Sequence, residues 1–161
     1  GAFVIGTASS EEKCAIAREA GCSIAINYSR ENWPAALLEA TGGKKANVVY
    51  DSVGKDTFLK SLDCTAPFGL VVLFGAASGP APAIEPELLN KKGCLFLTRP
   101  SVFPHNADPA TFRANAAVLF EAISIGLVKA QIGSRFKLDN IAQAHIAAES
   151  RATQGATLII P

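Results

Sequence analysis

The sequence of 161 residues predicts an α/β fold, a doubly wound and mostly parallel sheet with helices on both faces. Three observations carry the prediction. Short apolar, β-branched runs alternate along the chain with stretches of helical period. Two of these runs, residues 46–51 (ANVVYD) and 69–75 (GLVVLFG), are almost continuously apolar, as strands covered on both faces are. Gly, Pro, Ser and Asn gather at the joins, where turns belong.

Each element has its own signal. Residues 2–7 read as a strand and 10–20 as a helix, entered through a Ser9/Glu12 capping box and stopped by Gly21. Residues 23–27 are the next strand and 30–41 the next helix, with Pro34 in its first turn, where a missing N–H is tolerated. After the 46–51 strand come a short helix over 55–62, the 69–75 strand, a loop over 76–84 rich in Ala, Ser, Gly and Pro, and a strand over 93–98 (GCLFLT). Asp108 reads as an N-cap and Pro109 as the first residue of a helix running to about Ile125, closed by Gly126. A short strand at 135–138, a helix over 141–150 and a strand over 156–160 (ATLII) complete the order.

Composition excludes several classes. Fifteen basic residues stand against 14 acidic ones for a net charge of +1, with no long run of either sign, so nothing marks a nucleic-acid or anionic-membrane surface. No apolar run approaches the ~20 residues that span a bilayer, and the chain reads as soluble and cytoplasmic. Cys14, Cys22, Cys64 and Cys94 have neither redox-pair nor zinc-site spacing and read as small buried hydrophobes. His105 and His145 lie far apart, and no metal is expected. A strand already under way at Gly1, in a chain without methionine, suggests a fragment.

A dinucleotide fold opens with a strand, a Gly-rich G-x-G-x-x-G turn and a helix. No such turn exists here, so either no dinucleotide binds or the first strand and its turn are missing. The segment from Gly6 to Lys13 bears on this choice. Where an NAD site carries an acidic residue for the ribose, this strand end has small and hydroxyl residues, with Lys13 one turn into the helix. Helix amides, Ser9, Ser10 and Lys13 make a seat for a 2′-phosphate and favour NADPH. On residues alone the same segment reads as a capped helix with a solvated lysine, and Glu11 and Glu12 oppose a phosphate unless they point away. Tyr28 either packs beside an adenosine or is half-buried packing. Ser52 and Val53, and the run Gly75, Ala76, Ala77 and Ser78, follow strand ends, where ligands of open α/β sheets bind; they are also ordinary turn chemistry. No Ser/His/Asp or paired-carboxylate set is found, Asp51 reads as a turn or cap residue, and no catalytic side chain is assigned.

The string VVYDSVGKDT from Val48 to Thr57, followed by Ser61-Leu62-Asp63-Cys64, Thr98-Arg99-Pro100-Ser101 and the run from Glu149 to Gly155, resembles the zinc-free quinone oxidoreductases related to zeta-crystallin, in the medium-chain dehydrogenase/reductase superfamily. Ile26-Asn27-Tyr28 and Thr41-Gly42-Gly43 fall in register with it, so the likeness covers nearly the whole chain. The resemblance implies a Rossmann-like domain over residues 1–161 that lacks its first strand and Gly-rich turn, with the family's N-terminal GroES-like catalytic domain absent. It implies that Ser9, Lys13 and Tyr28 hold the 2′-phosphate of NADPH, Ser9 standing where a glycine is common. Ser52 and Val53 would touch the adenosine side, and Gly75, Ala76, Ala77 and Ser78 the nicotinamide end. Pro100, Ser101, Val102 and Arg151 would make further cofactor contacts; Arg151 also reads as a cation on a helix C-terminus.

The expected activity of the parent protein is hydride transfer from NADPH to a quinone, with the chain alone inactive. An enoyl-thioester or other enone reductase is the alternative, and a non-catalytic nucleotide-binding or dimerisation module is a third reading. The resemblance also implies a homodimer formed through the edge strand from Gly93 to Thr98, which Lys91 and Lys92 would otherwise blunt. In the order 3-2-1-4-5-6 the missing strand is central, so its two neighbours are expected to lack a partner.

Overall fold

The computed structural model describes residues 1–29, 32–150 and 154–161. The chain divides into two compact units, residues 1–101 and 102–161. In the first, β1 (Ile5–Ala8), α1 (Glu11–Glu19), β2 (Ile24–Asn27), α2 (Trp33–Ala40), β3 (Ala46–Asp51), α3 (Phe58–Cys64), β4 (Thr65–Leu73), α4 (Glu87–Lys91) and β5 (Phe96–Thr98) follow in order. The second holds α5 (Val102–His105), α6 (Pro109–Ser124), β6 (Ile132–Lys137), a 3-10 turn at Leu138–Asn140, α7 (Ile141–Glu149) and β7 (Ala156–Ile160). Every strand pairing among the described residues is parallel: β1 with β2, β4 between β3 and β5, and β6 with β7.

Within the first unit β1 pairs with β2 and β3 with β4, and among the described residues neither β1 nor β3 has a strand on its other edge. A cleft of about 1030 Å³ is walled by residues 2–7 and 44–53 and floored by Trp33, Leu37, Thr57, Ser61 and Cys64. The two strand groups are joined through α2 and α3. Ile26, Trp33, Leu37 and Cys64 form one buried cluster, with Ile5, Ile24, Tyr28 and Leu38 packed around it. Phe58, Leu62, Val71, Leu73 and Leu95 form the other, under Ala81, Ile84, Leu88 and Leu89. Fully burying a side chain such as Leu62 or Val71 contributes about 1.5–3 kcal/mol, so α3 is held from both ends.

Local chemistry explains where the elements start and stop. The N-cap of α1 is Ser10, not Ser9: Ser10 Oγ accepts from Lys13 N at 3.2 Å. With Lys13 at the third helical position, the expected Ser9/Glu12 box does not form. The α1 helix closes before Gly21, whose N–H donates to Arg18 O. The β4 strand starts at Thr65, four residues before the apolar run, because Ala46 pairs with Thr65 before a register shift to Val48 and Leu70. Pro67 and the left-handed Phe68 (φ 59°) hide that start from a pattern search. Residues 93–95 turn back on the unforeseen helix α4, Leu95 N donating to Leu89 O, so β5 keeps only three residues of the expected six. Asp108 caps α6 as expected, accepting from Thr111 N at 2.8 Å and Thr111 Oγ1 at 2.9 Å. Those two bonds, the backbone one first, hold its carboxyl below the usual range.

The cysteines are free thiols and only partly the buried hydrophobes expected: Cys14 and Cys64 are buried, Cys22 is half-buried and Cys94 is exposed. Burial, aided by Asp63, pushes the Cys64 thiol from 9.0 up to about 11. An unfolded chain therefore loses this proton near pH 9 while the folded chain keeps it, and stability falls as pH rises from 9 toward 11. Denaturant titrations across that range check this, a Cys64→Ala variant showing the shallower alkaline decline. Thermal melts should separate the two serines: Ser10→Ala costs about 1 kcal/mol as a lost N-cap, whereas Ser9→Ala leaves the midpoint close to wild type.

Candidate functional site

The first candidate region is the corner where β1 and β2 end and α1 begins. Ala8 and Asn27 face each other as the last residues of the two strands, and Tyr28 N donates to Ala8 O at 2.9 Å. Ser9 follows β1 directly, its carbonyl accepting from Ser29 Oγ at 3.2 Å. Lys13 lies in the first turn of α1. Ser9, Lys13 and Tyr28, separate in sequence, thus belong to one corner. Tyr28 is half-buried against the Trp33–Leu37 cluster, as its packing reading has it, and its N–H closes the corner.

Asn27 and Ser29 belong to the same corner and were missed by sequence reasoning. Asn27 Oδ1 accepts from Ser29 N at 3.0 Å and Ser29 Oγ at 2.5 Å, a turn in which the side chain stands in for backbone. Asn27 Nδ2 donates to Glu11 Oε1 at 3.3 Å. The signal available was the Asn-x-Ser string after a strand.

The second region is built on Asp51, the last residue of β3, which is 4% exposed. Its Oδ1 accepts from Val53 N at 2.9 Å and Gly54 N at 3.0 Å; Thr57 Oγ1 donates to the same carboxylate at 2.9 Å and Ser61 Oγ reaches Oδ2 at 2.8 Å. Every partner is a donor, which suits an ionised, acceptor-only carboxylate. Asp51 is a turn residue as read, and the network is wider than a cap: it sets the loop carrying Ser52 and Val53 against the start of α3.

That loop is sewn to the one after β4. Gly75 N donates to Asp51 O, Ala77 N to Ser52 O at 3.2 Å and Ser78 N to Val53 O at 2.8 Å, while Ser78 Oγ bonds Val53 O and accepts from Asp56 N. The fit leaves no room for side chains at two glycines. A Cβ on Gly75 would stand 2.3 Å from Ser52 O, and one on Gly54, at φ +87°, 2.5 Å from Gly79 O. Ser52, Val53, Gly75, Ala76, Ala77 and Ser78 therefore form a single platform of two strand-end loops, with Ser52 and Val53 at the edge of the β1–β3 cleft.

The remaining residues divide. Pro100 and Ser101 follow β5 at the end of the first unit, and Val102 opens α5 in the second. Arg151 lies outside the described residues. Among the described residues no three His, Cys, Asp or Glu side chains come together as a metal site. No described helix is long and apolar enough to cross a membrane.

Both regions lie at the carboxyl ends of parallel strands, the edge at which open α/β sheets bind their ligands. Consistent with that placement, the profile of a family described as zinc-binding dehydrogenase matches residues 1–116, and the chain belongs to this family, within the medium-chain dehydrogenases/reductases. It is 45% identical over its whole length to a quinone oxidoreductase of Pseudomonas aeruginosa and 41% identical to a 2-haloacrylate reductase of a Burkholderia species. The Escherichia coli quinone oxidoreductase complexed with NADPH is 41% identical and superposes with a TM-score of 0.93 over 100% of this chain and 50% of its own. The chain spans about half the length of the curated relatives it matches. The zinc of the family's description finds no fit in the described residues.

The Asp51 network is the part most exposed to mutation. Asp51→Ala strands two backbone N–H groups and two hydroxyls, each costing about 1–3 kcal/mol when buried without a partner. The expected result is loss of a cooperative melt, whereas Asp51→Asn, which keeps one acceptor oxygen, melts cooperatively at a lower temperature.

Proposed function

We propose that this chain is the NADPH-binding part of an oxidoreductase that transfers hydride from NADPH to a quinone. The observation that carries the reading is the corner at the end of β1 and β2, where the capped N-terminus of α1, Lys13, Ser9 and Tyr28 gather. Helix amides and a lysine favour an anion. Absence of an acidic residue at the end of β1 favours the 2′-phosphate of NADPH over the bare ribose of NADH. The NADPH complex of the E. coli relative supports the choice.

In this reading Ser9, Lys13 and Tyr28 hold the 2′-phosphate, and Ser52 and Val53 line the adenosine side. Gly75, Ala76, Ala77 and Ser78 present backbone toward the nicotinamide end. Pro100, Ser101, Val102 and Arg151 complete the cofactor contacts. When bound, NADPH supplies the hydride; the residues of this chain bind and orient it and need no acid, base or metal of their own. In the same reading the enzyme is zinc-independent and cytoplasmic, and a GroES-like half supplies the other wall of the substrate slot. The exposed edge of β5, with Phe96 62% exposed, pairs two copies into a homodimer.

The 2-haloacrylate reductase relative supports a second reading, reduction of an electron-poor carbon–carbon double bond on the same cofactor half. Turnover of the longest gene product carrying this chain, with 1,4-benzoquinone and with crotonyl-CoA, decides between them; the quinone should be preferred, and a preference for the thioester overturns that choice. Calorimetry should find NADPH bound more tightly than NADH, with Lys13→Ala weakening NADPH by roughly fivefold at low salt and leaving NADH unchanged. Light scattering should give a dimer mass.

A further inference from the structure

Where the loop after β3 meets the loop after β4, most of the seam is backbone on backbone. Phe74 N and Gly75 N donate to Asp51 O, Ala77 N to Ser52 O, Ser78 N to Val53 O and Lys55 N to Gly79 O. The Ser78 hydroxyl is a side-chain link in the same seam, and it is placed differently from the rest.

Ser78 Oγ accepts from Asp56 N at 3.0 Å and donates to Val53 O at 2.8 Å. Val53 O and Asp56 N stand three residues apart, the two groups that a β-turn joins directly. Here the hydroxyl of another loop is set between them. Chemistry fixes its direction: a backbone N–H can only donate and a carbonyl can only accept, so the single hydroxyl proton points at Val53 O and none is left to donate to a ligand. Val53 O also accepts from Ser78 N at 2.8 Å, which puts both of its lone pairs to use. The turn from Val53 to Asp56 is thus held at two ends. Asp51 takes its leading N–H groups, at Val53 and Gly54, and Ser78 takes its trailing one.

We propose that Ser78 is a positioning residue, whose hydroxyl fixes the spacing between the Ser52–Val53 loop and the Gly75–Gly79 loop so that a dinucleotide can bridge both, and which donates no hydrogen bond to the cofactor itself. This rests on the cofactor reading above, in which the first loop meets the adenosine side and the second the nicotinamide end. Without the hydroxyl, Asp56 N loses its acceptor and Val53 O one of its two donors, and the two loops move more independently. A ligand that bridges them must then order them as it binds, which weakens it. Adenosine 2′,5′-bisphosphate, which has the adenosine and the 2′-phosphate but no nicotinamide half, meets one loop and escapes that loss.

The test uses wild type, Ser78→Ala and Ser78→Thr of the longest gene product carrying this chain. Calorimetry is run with NADPH and with adenosine 2′,5′-bisphosphate, and amide hydrogen exchange is followed in the cofactor-free proteins. Ser78→Ala should weaken NADPH by roughly two- to tenfold, the range of a single hydrogen bond, and leave the bisphosphate unchanged. Ser78→Thr keeps the hydroxyl and should restore NADPH affinity. In the free protein the Asp56 and Ser78 amides should exchange faster in Ser78→Ala and return to wild-type rates in Ser78→Thr. A hydroxyl that served the cofactor directly would leave those rates unaltered. If Ser78→Ala does not fold, Ser78→Cys, with a weaker hydrogen-bonding thiol, should show the same pattern. Equal losses for both ligands, an unchanged NADPH affinity in Ser78→Ala, unaltered exchange in the free protein, or no recovery in Ser78→Thr each overturn the role of Ser78. A wild-type protein that binds neither ligand overturns the cofactor reading itself, a distinct failure visible before any variant is made.

Discussion

The buried Asp51 carboxylate is the constraint on which the first unit depends. A charge taken out of water is tolerated only if its lone pairs are fully met, and here four protein groups meet them. Those groups come from the loop after β3, from Thr57 at the cap of α3 and from Ser61 within it, so one side chain at a strand end dictates the course of the next ten residues. Through the carbonyls of Ser52 and Val53 the same order passes to the loop after β4. Two loops from neighbouring strands become one surface, and a surface made of backbone needs Gly, Ala and Ser where it is closest. That is why the string from Asp51 to Gly54 and the string from Gly75 to Gly79 are both small and both poor in distinctive side chains.

The opening between β1 and β3 has the opposite character. Among the described residues each strand offers an unpaired edge to a cleft whose walls are contiguous backbone, and such groups cost free energy wherever water cannot reach them. What keeps the two strand groups together is side-chain packing beneath the cleft: Trp33 and Leu37 from α2, Cys64 from α3 and Ile26 from β2. Cohesion of the unit thus runs through helices and not through a continuous sheet.

Much of this was legible in the sequence where one signal dominated. The continuous apolar runs at β3 and β7 gave the observed bounds, and Asp108-Pro109 gave the start of α6, because a cap followed by proline has little other use. Competing signals blurred the rest. Ser9 and Ser10 are chemically alike, and only backbone geometry selects Ser10 as the cap. Thr65 pairs as a strand residue although Pro67 and Phe68 follow, since the register shift absorbs them. Cys94 is exposed because it sits in a left-handed turn after α4, which composition does not encode. Of the candidate site, the strand-end strings were legible as motifs, while their stitching through Asp51 and Ser78 was not, because it depends on pairs such as Val53 and Ser78 that only the fold brings together.

In the cofactor reading proposed above, the two regions divide the work of recognising a nucleotide. The Asp51 platform offers backbone and small side chains, which can follow the shape of a cofactor but carry little power to tell one from another. The corner at α1 is where charges stand, and discrimination between a ribose and its phosphate is a matter of charge. Glu11 and Glu12 in the first turn of α1 oppose an anion there, while the helix amides and Lys13 favour one. Asn27 Nδ2, at the end of β2, donates to Glu11 Oε1 at 3.3 Å, so that carboxylate is partnered from the neighbouring strand. A sequence shows only that Glu11 and Lys13 are two residues apart; that Glu11 meets Asn27, the last residue of β2, follows from the packing of helix on strands.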